Sequence, residues 1–167
     1  MSKIRAAITG VQGYVPDYVL TNAELEKMVD TNDAWIVERT GICERRICDN
    51  QTSASDLGIE AANNALAMAG KCAADIDLII VATTTPDHLL FPSTGALIQH
   101  GIGAPNTPAF DISAACTGFV YALSTARAYM LSGMYNRILL VCVDTLSKFL
   151  DWEDRGTCIL FGDRSEE

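Results

Sequence analysis

Long apolar runs, paired cysteines and positive charge are what this sequence has least of. No apolar stretch reaches the roughly 18 residues that suggest a membrane span, and the amino terminus, MSKIRAAITG, carries no apolar core or small-residue cleavage site of a secretory signal. The expectation is therefore a cytoplasmic chain with no membrane partner. Six cysteines are present (Cys43, Cys48, Cys72, Cys116, Cys142 and Cys158), but no two form a C-x-x-C pair, so the common zinc patterns are excluded and no metal site is expected. In a cytosolic chain they read as reduced thiols, most of them small core hydrophobes, with Cys142 and Cys158 inside apolar, strand-like runs. Lys and Arg total 12 against 21 Asp and Glu, a formal net charge of −9. That balance argues against a nucleic-acid partner, which needs clustered basic residues. Only two histidines occur, His88 and His100. Both read as structural, and neither is nominated as a base.

What is there is ordinary for a folded domain. The 167 residues are 49% apolar and 20% charged, enough to build one core. Strand-like runs cover residues 4–8, 76–82, 108–112, 138–143 and 157–161. The run 76–82 (IDLIIVA) is continuously apolar, as expected of a strand buried on both faces. Helical signals fall between them. Thr21 followed by Glu24 is a capping box, flanked by the staple pair Leu20 and Leu25, and the apolar face continues through Met28 and Val29. Residues 33–40 read as a helix closed by Gly41. A third helix, 53–69, has Ala54, Leu57, Ala61, Ala65 and Met68 at helical spacing, with Asp56 three after Ser53 and Gly70 at its stop. Residues 94–100 and 117–132 read as further helices, the latter with Phe119, Val120, Leu123, Ala126, Met130 and Leu131 on one stripe. Strands alternating with helices predict an α/β fold: a mainly parallel sheet with helices on both faces.

The chemistry concentrates in residues 109–119, AFDISAACTGF. A strand ends, two alanines follow, and Cys116 opens a long helix. Ala114, Ala115 and Gly118 are small enough for a tight turn. A helix start gathers unpaired N–H groups and the positive end of the helix dipole, surroundings that favour thiolate, the nucleophilic form, over thiol. The arrangement shares its physical logic with the nucleophile elbow of hydrolases, though not its motif. From these residues alone, a buried structural cysteine at a helix start is the equal alternative.

Four stretches, VDTNDAWIVERTGICERRI (29–47), IDLIIVATTTPDHLLFPST (76–94), PAFDISAACTGFVYAL (108–123) and LDWEDRGTCILFGD (150–163), occur in this order. Together they resemble the β-ketoacyl-acyl-carrier-protein synthase III family, the condensing enzymes that start fatty-acid synthesis. The resemblance implies a thiolase-like fold, in which two similar α/β halves pack into five layers. Residues 1–167 would be the first half, with the second half absent. It also implies that Cys116 accepts an acyl group from acyl-CoA. Malonyl-acyl-carrier-protein would then decarboxylate and attack the thioester. Thr31, Trp35, Arg39 and Arg155 match positions that hold coenzyme A, the tryptophan and the second arginine flanking the adenine. Read without the family, Trp35 and Arg39 are an i, i+4 pair that any helix surface could carry.

Phe91, Leu146 and Phe161 match positions that shape the primer pocket, Phe91 across a dimer interface; core packing is the alternative, above all for Phe161 in its expected strand. The implied partners are acyl-CoA, as substrate rather than cofactor, acyl carrier protein and a second copy of the chain in a homodimer. The family's catalytic His and Asn lie in its second half, so the chain alone is expected to be inactive in condensation. Where the family continues after Asp163 with small residues, this sequence has Arg164-Ser165-Glu166-Glu167. Two other readings stand beside this one: a non-catalytic module that binds coenzyme A weakly or self-associates, and a related polyketide or hydroxymethylglutaryl-type condensing enzyme.

Overall fold

The computed structural model describes residues 6–166, which divide into two compact units. The first comprises the described parts of 1–14, 53–144 and 165–167; the second comprises 15–52 and 145–164. Each is taken by itself.

The first unit is built on a five-stranded sheet. Its strands are β1 (Gly13–Tyr14), β4 (Leu78–Ala82), β5 (Ala109–Ile112), β6 (Ile138–Thr145) and β7 (Asp163–Glu166), in the order β1-β7-β6-β4-β5. β4 runs parallel to both neighbours, with Ile79 opposite Ala109 and Leu139, while β1 and β7 pair antiparallel at one edge. The prediction of a mainly parallel sheet holds because β4 is buried at every residue. Its alternating side chains feed two separate cores. Ile79 and Val81 join Leu139, Val141 and Val143 of β6 beneath helices α3 (Ala54–Met68) and α4 (Thr94–Gly101). Leu78, Ile80 and Ala82 pack on Ala122 and Ala126 of α5 (Gly118–Ser132) on the other face. A strand buried on both sides needs helices on both sides, and the helical crossovers supply them.

The helix boundaries follow the caps. Ser53 accepts from the Asp56 N–H and Asp56 returns a bond to the Ser53 backbone, so the capping box starts α3 as expected. Gly70 adopts a left-handed φ of 62° just past its end. The α3 stripe is buried at Ala54, Leu57, Ala61 and Ala65 as predicted and departs only at its last member, whereas that of α5 departs at several. Met68 is 60% exposed, and Phe119, Val120 and Leu131 of α5 are exposed while Gly118, Ala122 and Ala126 face the sheet. Small residues take the inward positions because α5 lies close on β4: a Cβ on Gly118 would stand 3.1 Å from that of Ala82. Of the strand expected at 4–8, residues 4 and 5 lie outside the described residues, and 6–8 are not in a strand.

The second unit holds a two-stranded antiparallel sheet of β2 (Val19–Thr21) and β3 (Glu44–Arg46), with helices α1 (Asn22–Leu25) and α2 (Asp33–Thr40). Thr21 and Glu24 form the predicted capping box, and both staple residues, Leu20 and Leu25, are buried. The helix is shorter than predicted. Lys27 and Met28 bond back only three residues, to Glu24 and Leu25, a tightened last turn that ends it before Val29. α2 matches its predicted span, from N-cap Asn32 to Gly41 at a φ of 72°. The strand expected at 157–161 is instead a turn. Asp154 accepts from the Gly156 N–H and Thr157 Oγ1 through its carboxylate and from Cys158 N–H through its carbonyl. Such local side-chain bonds compete directly with extended pairing.

The close approach of α3 to α4 generates a test. A Cβ on Gly58 would stand 2.5 Å from Ile98 Cδ1 and 3.2 Å from Val141 Cγ1. Gly58→Leu is expected to lower stability by about 1–3 kcal/mol through overpacking, read as a lower urea midpoint at unchanged slope.

Candidate active site

Cys116 lies on a short 3-10 turn, Ala115–Thr117, between β5 and α5. Ala115 has a φ of 45°, the one positive φ of a non-glycine among the described residues. An L-residue with a Cβ holds that conformation at a cost of about 1–3 kcal/mol, a strain that clusters at functional sites. Thr117 ties the turn by donating from both its N–H and its Oγ1 to the Ala114 carbonyl, at 3.1 and 2.7 Å. The consequence is that Cys116 projects outward and is exposed, so the reading of a buried structural cysteine does not describe it. The turn stands where the parallel strands end, the edge at which open α/β sheets assemble their sites. Among the described residues no hydrogen bond reaches the Cys116 thiol.

Carboxylates organise the same edge, and sequence reasoning passed over them. Asp111 of β5 accepts from the Thr94 and Gly95 N–H groups at 2.9 and 2.7 Å, fixing the start of α4. Asp144 of β6 accepts from Thr84 N–H at 2.8 Å and from the hydroxyls of Thr83, Thr84 and Thr85. A threonine run directly after a buried strand was the available signal for that cluster. His88 and His100 are both exposed, one in the loop after β4 and the other in the last turn of α4.

In the second unit the predicted nucleotide-binding residues come together. Arg39 places its Cζ 4.5 Å from the centroid of the Trp35 ring, and Arg155 places its own at 4.9 Å. Trp35 and Arg39 share one face of α2 by their four-residue spacing; Arg155 comes from a segment more than a hundred residues along the chain. Arg155 also donates to the Asp30 carbonyl at 3.1 Å. Two guanidiniums beside one indole make a cationic, stacking surface suited to a planar, phosphorylated ligand. Nearby in sequence, the Thr31 hydroxyl is buried and finds no partner.

The three pocket-matching residues are scattered by environment. Phe91 is 82% exposed at the end of an exposed Leu89-Leu90-Phe91 run in the first unit. Leu146, in the second, is half-buried at the start of a 3-10 turn. Phe161 is 37% exposed just after the 154–160 turn, so the core-packing alternative that rested on a strand there loses its basis.

Of the remaining cysteines, Cys43 and Cys72 are exposed and Cys48 and Cys158 are buried. Cys158 is buried by the turn's packing against Leu20, Leu25 and Ile36, not by a strand. Asp163, 1% exposed, accepts from Cys48 N–H at 2.8 Å and from the Ser147 N–H and Oγ hydroxyl at 2.9 and 2.6 Å. Burial first, and then the Asp163 carboxylate, push the Cys48 thiol up to about 12. Burial and Asp154 also raise that of Cys158.

Two measurements follow. Brief iodoacetamide treatment and mass mapping should label Cys116, Cys43 and Cys72 and spare Cys48 and Cys158 until the chain is denatured. For the pH dependence, an unfolded Cys48 ionises near its ordinary 9.0 and the folded one near 12. The native state therefore holds the extra proton between those values, and stability falls as pH rises through that window. Cys48→Ala should flatten the fall of the urea midpoint between pH 9 and 11.

Comparison with known proteins places this geometry. Residues 110–165, which include the Cys116 turn and Arg155, match the family model for 3-oxoacyl-[acyl-carrier-protein] synthase III. The β-ketoacyl-[acyl-carrier-protein] synthase III of Caldanaerobacter subterraneus subsp. tengcongensis is 52% identical over 161 residues, 96% of this chain and 48% of the relative. The crystal structure of 3-oxoacyl-[acyl-carrier-protein] synthase III from Aquifex aeolicus VF5 superposes with a TM-score of 0.92 at 48% identity, covering 95% of this chain and 51% of that one. A priming β-ketosynthase from the R1128 polyketide biosynthetic pathway gives a TM-score of 0.91 at 36% identity, covering 95% and 47%. The chain thus spans about half the length of the relatives it matches, and its sheet with helices on both faces is one α/β half of the thiolase-like fold. Over that matched length, the chain belongs to the β-ketoacyl-acyl-carrier-protein synthase III family.

Proposed function

We propose that this chain carries the acyl-accepting part of a condensing acyltransferase that initiates fatty-acid synthesis, with Cys116 as the acceptor. The observation that carries the reading is the exposed Cys116 thiol on a strained turn at the carboxyl edge of the parallel sheet. The Cys116 thiolate attacks the thioester carbonyl of a short acyl-CoA. The carbon–sulfur bond to coenzyme A breaks, its thiolate leaves and takes up a proton, and the acyl group remains on Cys116 as a new thioester. That thioester is the electrophile for a malonyl-acyl-carrier-protein carbanion formed by loss of carbon dioxide. The Trp35, Arg39 and Arg155 cluster is the nucleotide end of the coenzyme A site: adenine stacks on the indole and a guanidinium, and phosphate is forked by arginine. Thr31 adds a nearby hydroxyl contact. Phe91, Leu146 and Phe161 are the primer-pocket residues, with Phe91 contributed to a second copy in a homodimer. Acyl carrier protein is the second partner. Location in the cytoplasm fits this reading, and no helix among the described residues is long and apolar enough to cross a membrane.

The similarity to a polyketide-pathway priming synthase supports a second substrate class at the same cysteine, a polyketide rather than a fatty-acid starter. Initiation by Cys116 is common to both.

Acyl transfer and condensation are separable. Incubation with radiolabelled acetyl-CoA is expected to leave a hydroxylamine-labile label on the chain, absent from Cys116→Ser and reduced in Trp35→Ala. Ketoacyl product from malonyl-acyl-carrier-protein is expected to be undetectable with the 167 residues alone. Stabilising an enolate during decarboxylation needs preorganised donors, each contributing about a hundred- to a thousand-fold in rate, and none among these residues is assigned to that task. A label that persists in Cys116→Ser would remove Cys116 as acceptor. Ketoacyl product from the unmodified chain would show that these residues contain a base of their own.

A further inference from the structure

Arg45 is the most buried cation described in the molecule, 5% exposed, in the middle of β3. Among the described residues no salt bridge joins it to a carboxylate. Its Nη1 donates to the Leu20 carbonyl at 3.2 Å, and its Nη2 donates to Asn22 Oδ1 at 2.9 Å and to the Ile159 carbonyl at 3.1 Å. Its Nε has no partner. A buried guanidinium held by neutral acceptors costs desolvation that three such bonds offset only in part. Stability is therefore a poor account of its presence, and what its bonds join is informative.

One end of the network reaches α2. Asn22, 2% exposed, relays the contact: its Nδ2 donates to the Ile42 carbonyl at 2.9 Å and to Asp33 Oδ1 at 2.8 Å. Asp33 is the first residue of α2, two before Trp35. The other end is Ile159, four residues after Arg155 in the turn that Asp154 organises. One buried side chain thus spans the two segments that bring Trp35 and Arg155 to 4.9 Å. The stacking pair is itself half-exposed, with Arg155 51% exposed and held on its own side only by exposed contacts to Asp30.

We infer that Arg45 is a positioning residue for nucleotide binding: through Asn22 and Asp33 on one side and Ile159 on the other, it sets the spacing of Trp35 and Arg155. The inference rests on the reading of that cluster as the nucleotide end of the coenzyme A site. At 4.9 Å the indole and guanidinium already stack on each other, so a planar base depends on how the two segments are placed relative to one another, and a displacement near 1 Å can cost on the order of a hundredfold where geometry governs the outcome.

The test uses the whole chain in a Trp152→Phe background, so that fluorescence reports Trp35 alone. The probe is adenosine 3′,5′-bisphosphate, titrated against Arg45→Lys, which keeps the charge and loses the fork, and against Asp33→Ala, whose exposed position makes misfolding a poor explanation. Expected are about tenfold weaker binding in Arg45→Lys and about threefold in Asp33→Ala, an altered Trp35 emission in both without ligand, and cooperative melting retained. Trp35→Ala, which leaves that background without tryptophan and is therefore titrated by calorimetry alongside the other variants, is the control for the underlying reading. If it leaves affinity unchanged, the cluster is not the nucleotide site. If it abolishes binding while folded Arg45→Lys and Asp33→Ala keep full affinity and unaltered emission, the positioning role is overturned and the site survives. Binding lost only together with the cooperative melt would make Arg45 a general core residue and would equally overturn it.

Discussion

Burial of β4 on both faces is the constraint from which the first unit follows. Leu78, Ile80 and Ala82 point to one side and Ile79 and Val81 to the other, and none of the five is left to water. Two helix layers are then required, parallel neighbours are the arrangement that supplies them, and every parallel strand delivers its carboxyl end to the same edge. Thr83 to Thr85, the Cys116 turn and Asp144 all sit at that edge because β4, β5 and β6 run the same way. The cysteine's position is thus a consequence of the sheet, and its exposure a consequence of the Ala115 turn.

Aspartates do at the loops what apolar side chains do in the core. Asp111 holds the start of α4, Asp144 gathers the threonines after β4, and Asp163 ties Cys48 to Ser147 in the second unit. Each accepts several bonds, which satisfies a carboxylate that would otherwise be expensive to remove from water. Asp163 has a further effect: it adds to burial, the larger cause, in raising the Cys48 thiol. The chain therefore separates its thiols by environment, with one exposed on a strained turn and others sealed by burial and negative charge.

Most of the architecture was legible where one residue has one local consequence. The capping boxes at Thr21 and Ser53, the glycine stops at Gly41 and Gly70, and the continuous apolar run of β4 all gave elements where expected. The misread segments failed for identifiable reasons. Residues 157–161 are apolar enough for a strand, but Asp154 captures their backbone first. The apolar stripe of α5 places Ala126 correctly but not its larger members Phe119, Val120 and Leu131, because proximity to Ala82 selects small residues for the inward positions. Phe161 was assigned to the strand that did not form.

The sequence by itself determined the three parallel strands and the helices around them, the small-residue turn around Cys116, and the i, i+4 spacing of Trp35 and Arg39, because periodicity, capping and turn chemistry act within a few residues of their cause. It could not determine which face of α5 is covered, that Ala115 takes a left-handed φ, or that Arg155 meets Trp35 across more than a hundred residues of chain. Nor could it show Arg45 as the buried link between the segments that carry them. Those depend on which surfaces meet and on which polar groups are left needing partners once water is excluded, and both are set only when distant segments pack.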